Sequence, residues 1–264
     1  MLRLISALSG RRGITVTRGI RYGKLRRQAL DIHAPRQAAA DAPLLVFFHG
    51  GSWHIGDKAA YGFVGEAFAS AGITVAIPNY RLYPEVTFPD FVRDGAAAVA
   101  CALAETHPRR LFIAGHSAGA HIAALLHLDR HYLDEAGVAP GAVAGAIGLS
   151  GPYDFLPLRK ERYRRVFPEA TREASQPIAF ADGRAPPMLL LSGDRDRTVS
   201  PGNARRLAAA IVANGGEATV KIYPGVGHLG MVTALARILP YRKPPVRDDM
   251  IAFMRAMNAS QPVR

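Results

Sequence analysis

Short, unbroken apolar runs recur along the chain and set its rhythm. Leu44 to Phe48 stops at His49-Gly50-Gly51, and Ile73 to Ile77 stops at Pro78. Leu111 to Ala114, Val143 to Leu149, Met188 to Leu191 and Thr219 to Tyr223 follow. Runs this short, without polar alternation, predict strands buried on both faces. Between them lie alanine-rich stretches of helical length: Ala59 to Ala71, Phe91 to Thr106, Ala118 to Tyr132 and Asn203 to Ala213. The last runs into Asn214-Gly215-Gly216, a good helix stop. Asp248 to Met257 predicts a closing helix. Strand–helix alternation of this kind means a mostly parallel sheet with helices on both faces. Ahead of it, Ile14-Thr15-Val16 and Leu30-Asp31-Ile32 predict shorter antiparallel edge strands.

The rhythm breaks once, from Pro152 to Pro187. That segment is polar, rich in arginine and proline, and scattered with Tyr163, Phe167 and Phe180. Loops at the carboxyl ends of strands in an α/β sheet border the ligand crevice, so 152–187 is expected to form a small cap. No repeat is visible, and no linker marks a boundary, so residues 1–264 read as one domain.

The 264 residues are 49% hydrophobic and 20% charged, which excludes disorder and allows a sizeable core. The net charge of +12 is unevenly spread. Residues 1–36 hold nine Lys/Arg against Asp31 alone, a local +8, and the other 228 residues carry only +4. Such a basic segment could touch nucleic acid or anionic lipid. No nucleic-acid-binding motif accompanies it, so a solvated basic edge is expected and no nucleic-acid partner. Leu2 to Leu8 is too short and interrupted to span a membrane, and it lacks the features of a signal peptide. The expected compartment is cytoplasmic, and homodimer formation is left open. Cys101 is the single cysteine, which excludes an intramolecular disulfide and a multi-cysteine zinc site.

Gly115-His116-Ser117-Ala118-Gly119 fits G-x-S-x-G, after a strand and at the start of a helix. Flanking glycines let the chain turn sharply and hold the serine at its tip, where the helix N-terminus favours negative charge. His49-Gly50-Gly51-Ser52-Trp53 follows another strand, and its glycines can turn backbone N–H groups towards an oxyanion. Gly51 and Ser52, within one residue, are assigned that role together with Ala118. A serine needs a base, and the base an orienting acid. His228, among glycines after the final strand, is the candidate base. His33, His107 and His131 lie at loops or helix ends, while His121 and His127 are expected to pack or face solvent. His127 and His131 have helical metal-ligand spacing but no third partner, so no metal or other cofactor is expected. Ser192 to Val199 offers two acids, Asp194 and Asp196, with the spare one expected to pair with a neighbouring arginine. The order Ser117, Asp196, His228 is that of α/β-hydrolases. Trp53, His54 and Tyr80 are candidate pocket walls, with packing beneath the site as the other reading.

The chain resembles α/β-hydrolase serine esterases of the group that holds bacterial carboxylesterases, feruloyl-esterase-like proteins, isoprenylcysteine methylesterases and kynurenine formamidases. The residues that carry the resemblance are Tyr22-Gly23 with Leu30-Asp31-Ile32, His49 to Trp53, Asn79-Tyr80-Arg81-Leu82, Gly115 to Gly119, Gly193 to Val199 and Gly227-His228. They span nearly the whole chain in family order. In this group the acid sits in G-x-x-D-x-x-V, here Gly193, Asp196 and Val199, which favours Asp196 over Asp194. The resemblance implies hydrolysis of a small-molecule ester, with an arylformamidase as the alternative. A catalytically silent binding protein is disfavoured because serine, histidine and acid all stand where the fold needs them. The cap matches no particular subgroup.

Overall fold

The computed structural model describes residues 1–10, 13–39, 42–238 and 244–259. Arg11 and Arg12 of the basic segment lie outside these. The chain opens with α1 (Leu2–Leu8), then β1 (Ile14–Arg21), β2 (Ala29–Pro35) and β3 (Leu44–Phe48). Next come α2 (Gly62–Ala69), β4 (Thr74–Pro78), α3 (Asp90–Thr106) and β5 (Leu111–His116). They are followed by α4 (Ala118–Leu128), α5 (His131–Glu135), β6 (Val143–Leu149) and α6 (Glu161–Val166). The chain closes through β7 (Met188–Gly193), α7 (Gly202–Ala213), β8 (Ala218–Tyr223), α8 (His228–Thr233) and α9 (Val246–Ala259).

The strands form one sheet in the order β1-β2-β4-β3-β5-β6-β7-β8. β1 and β2 are antiparallel to their neighbours and the other six are parallel. Side-chain alternation in β3 feeds both faces. Leu44, Val46 and Phe48 enter the core with Phe91, Val92 and Ile122, while Leu45 and Phe47 enter the core with Phe63, Phe68 and Met250. Each large apolar side chain fully buried this way contributes about 1.5–3 kcal/mol, so continuous apolar strands suit only a sheet covered on both sides.

The sequence underestimates several boundaries. β1 runs to Arg21 and β2 starts at Ala29, so the described basic segment carries two strands of the sheet and is not a loose arm. Arg27 donates to the carbonyls of Tyr80 and Gly56, and Lys58 pairs with Asp31. Leu2 to Leu8 is a short helix that buries Ile5, with the Ser6 hydroxyl on the Ala60 carbonyl. The expected helix 118–132 ends at Leu128 and restarts at His131. Among the described residues no helix is long and apolar enough to cross a membrane.

The chain passes from β3 to β4 on one side and later from β5 to β6 on the other. The carboxyl ends of β3 and β5 therefore border the crevice where an α/β sheet binds its ligand. His49 follows the first of these ends and Ser117 the second.

Candidate active site

Ser117 joins β5 to α4 with φ 57° and ψ −120°, a conformation that L-residues rarely adopt. The turn is tight enough that a Cβ on Gly115 would strike the backbone of Gly119. A Cβ on Gly119 would strike the carbonyls of Phe48 and His49. The Ser117 N–H donates to Leu149 O at 2.9 Å, which ties the turn to the end of β6.

The loop after β3 is strained in the same sense. Gly51, Ser52 and Trp53 have φ of 136°, 51° and 60°. It is held from several directions: the Tyr80 hydroxyl donates to His49 O at 2.8 Å, and Arg27 holds Gly56 O at 2.9 Å. The Gly50 N–H donates to the Tyr61 hydroxyl at 2.9 Å, so it is not free for a ligand. Among the described residues nothing accepts from the N–H of Gly51 or Ser52. Ala118 is the first residue of α4, so its N–H has no intrahelical acceptor. Ala118 directly follows Ser117, and Ser52 lines the same cavity as Ser117.

The structure brings Ser117, His228 and Asp196 into one relay. Ser117 Oγ lies 2.9 Å from His228 Nε2, and His228 Nδ1 lies 2.8 Å from Asp196 Oδ2. The other Asp196 oxygen accepts the N–H groups of Thr198 and Val199, both at 2.9 Å. Burial pushes the Asp196 carboxyl up, yet His228, the Val199 N–H and the nearby Ser150 hydroxyl outweigh it and hold the group below its ordinary value. The Ser150 hydroxyl acts only by proximity, without an ordinary hydrogen bond. An ionised acid on Nδ1–H leaves Nε2 as the lone-pair end facing the serine, the tautomer a general base requires.

Asp194 does something the sequence did not suggest. Among the described residues it pairs with no arginine; its Oδ1 accepts the Gly225 N–H at 2.7 Å and so steadies the loop leading to His228. A second chain of bonds also escaped the sequence. Tyr61 accepts from Gly50 and faces His116 Nδ1 at 3.3 Å, and His116 Nε2 lies 3.1 Å from the carbonyl of His228. Burial, with the adjacent His228 ring, pushes His116 down to about 3, so it stays neutral. A neutral ring against a carbonyl carries its proton on Nε2 and accepts from Tyr61 at Nδ1. The loop after β3 and the backbone of His228 are thereby joined through the residue before Ser117.

His121 is buried and central rather than incidental packing. It accepts from Trp53 Nε1 at 3.3 Å, and its Nε2 lies 2.7 Å from Ser175 O in the segment before β7. His127 and His131 do not share a helix face, because the helix breaks between them. His127 is buried on Pro186 O, whereas His131 is exposed beside Asp129. Among the described residues no three His, Cys, Asp or Glu side chains cluster as a metal site.

A cavity of about 480 Å³ opens over Ser117. Trp53 lines it, together with Phe155, Leu158 and Tyr163 from 152–187 and Val199 from the acid's loop. Two of the suggested wall residues lie elsewhere. Tyr80 is fully buried, stacked on His49 beneath the loop, and His54 meets Arg162 at 2.9 Å outside the lining. The Asn79-Tyr80-Arg81 motif is scaffolding: Asn79 accepts the Lys58 N–H, and Arg81 grips Asp94 through both carboxylate oxygens.

A parallel sheet with a strained serine at one strand end, an N–H-rich loop at the next and a histidine after the last strand defines an α/β-hydrolase. The chain belongs to the BD-FAE family, whose profile matches residues 30–211. It is 29% identical over 268 residues to isoprenylcysteine alpha-carbonyl methylesterase of Arabidopsis thaliana, covering 91% of this chain and 62% of that protein. It is 32% identical over 139 residues to kynurenine formamidase of Danio rerio, covering 52% of this chain and 46% of that one. The chain spans between 51% and 65% of the length of these plant methylesterases. Among solved structures, esterase B of Lactobacillus rhamnosis superposes with a TM-score of 0.80 at 19% identity, covering 98% of this chain and 90% of that one, a likeness of fold.

Proposed function

We propose that the protein is a serine hydrolase that cleaves small carboxylic esters through an acyl-enzyme. The observation that carries this reading is the unbroken relay from Ser117 through His228 to Asp196 at 2.9 and 2.8 Å. The ester-cleaving names of its relatives support it.

In the first half-reaction His228 Nε2 takes the Ser117 proton as Oγ attacks the acyl carbonyl. Asp196 stabilises the resulting imidazolium and fixes its orientation. The carbonyl oxygen gains negative charge between the N–H groups of Gly51, Ser52 and Ala118, each contributing about 3 kcal/mol to transition-state stabilisation. His228 then protonates the leaving alcohol. Water attacks the acyl-enzyme with His228 again as base, and Ser117 recovers its proton.

A second reading, hydrolysis of an aryl formamide, is favoured by the kynurenine formamidase match across half the chain. The relay would be the same, with the leaving group an amine. Comparing a p-nitrophenyl ester series from acetate to decanoate with N-formylkynurenine, with Ser117→Ala as blank, separates the two. Rapid short-chain ester turnover, at least about 10⁴-fold above the blank, is expected with little formamide activity. Preference for the formamide replaces the first reading with the second, and wild-type turnover no faster than the blank removes both.

A further inference from the structure

The charge around the cavity over Ser117 is one-sided. Arg159, Lys160 and Arg206 line it, and no Asp or Glu does. Arg206 is engaged, its guanidinium on the carboxylate and carbonyl of Asp154. Arg159 and Lys160 have no carboxylate partner among the described residues. The acid next to them, Glu161, is already shared by Arg164 and Arg165. Arg162, outside the lining, lies over the ring of the lining residue Tyr163 and against His54. The rest of the lining is largely apolar, with Trp53, Phe155, Leu156, Leu158 and Val199. Two cations lining one cavity without an acid give it a positive potential, which an arriving anion lowers.

We propose that this cavity selects esters that also carry a carboxylate, with the apolar part held against Trp53 and Phe155 and the carboxylate between Arg159 and Lys160. The inference rests on the ester-hydrolase reading and adds the substrate's second functional group. The carboxylate could belong to the acyl part or to the alcohol part, and two pairs of probes distinguish them. Monomethyl adipate against dimethyl adipate places the charge on the acyl side. 4-Acetoxybenzoate against its methyl ester places it on the leaving group.

In one of the two pairs the anionic ester is expected to have roughly five- to tenfold higher kcat/KM at low salt, carried by KM. Raising the ionic strength should shrink that ratio. The double variant Arg159→Gln/Lys160→Gln should bring the ratio close to one. Arg184→Gln/Arg255→Gln, which removes the same charge at residues outside the lining, should leave the ratio as it was. Neutral esters hydrolysed as fast as or faster than anionic ones in both pairs would overturn the preference and leave the ester-hydrolase reading intact. A preference that survives the Arg159/Lys160 variant would overturn the assignment to these two side chains. Hydrolysis of none of the four esters would overturn the ester-hydrolase reading and the preference together.

Discussion

The floor of the cavity and the cap above it are held by different kinds of interaction. The floor is close backbone packing locked by buried side chains: Gly119 on the carbonyls of Phe48 and His49, three successive positive φ angles, and bonds from Gly50 through the Tyr61 hydroxyl and the His116 ring to His228. The cap has a single short α-helix, α6, and three 3₁₀ turns, with many exposed charges. It is fastened by a few side chains. Asn203 accepts the N–H groups of Tyr153 and Asp154, Gln176 accepts that of Phe155, and His121 donates to Ser175 O. Strain can persist only where the surroundings over-determine it, and that condition holds in the floor. On the function proposed above, bond-breaking belongs to the floor and choice of substrate to residues 152–187.

The harshest test of that division is the pair of aspartates. Asp196→Asn removes the charge that orients His228 and is expected to lower kcat about 10³- to 10⁴-fold without loss of fold. Asp194→Asn keeps an oxygen for the Gly225 N–H and should cost less than about tenfold. Equal losses in steady-state assays of the two variants would show that the acid has been misassigned.

Acid should loosen the floor and the ties of residues 152–187 together, since buried His121 and His127 hold Ser175 O and Pro186 O of that segment. Burial lowers His49, His121 and His127 from 6.5 to about 4. Burial also takes His116 to about 3, helped by His228. The unfolded chain binds these protons below pH 6.5 while the folded chain refuses them. Stability from these groups is therefore level above 6.5 and declines towards 4, by up to about 1.4 kcal/mol per pH unit per histidine. Urea midpoints at about pH 7.5 and about pH 5 should differ accordingly, and an unchanged midpoint would contradict the neutral, buried histidines.

Smaller substitutions sharpen the contrast. Tyr61→Phe strands the Gly50 N–H, at about 1–3 kcal/mol of stability, and frees the loop after β3. Roughly a tenfold fall in kcat with a steady KM is expected, and a change in KM alone would place Tyr61 on the substrate side. His121→Phe cuts the tie between Trp53 and the cap. Here KM should rise roughly threefold while kcat holds, because packing is kept and one fastening is lost. A kcat loss matching that of Tyr61→Phe would erase the distinction between floor and cap.

Much of the floor was legible because its constraints are local. Glycines flanking Ser117 and following His49 announce close backbone approach wherever they stand behind an apolar run. Strands β3 to β7 were equally readable from continuous apolar runs, but β8, expected to be buried on both faces, is an edge strand whose residues alternate between half-buried and exposed. What stayed hidden depends on partners far along the chain. Nothing near His121 names Ser175 as its acceptor, and nothing near Asp194 names the Gly225 N–H. Tyr80 reads as a wall residue until the fold lays it on His49. The helix break after Leu128 follows no proline or glycine, and the lack of a carboxylate partner for Arg159 and Lys160 among the described residues emerges only when the acid pairs are known.

The bare Cα of Gly119 also bears on how such a chain can be altered by inheritance or by design. At that joint even one methyl group must push β3 and α4 apart, so a single codon change is felt by both strand ends that carry the reacting groups. No sequence of small steps leads through that point. A lineage, or an engineer, seeking a new activity from this chain has to leave the joint alone and write its novelty elsewhere.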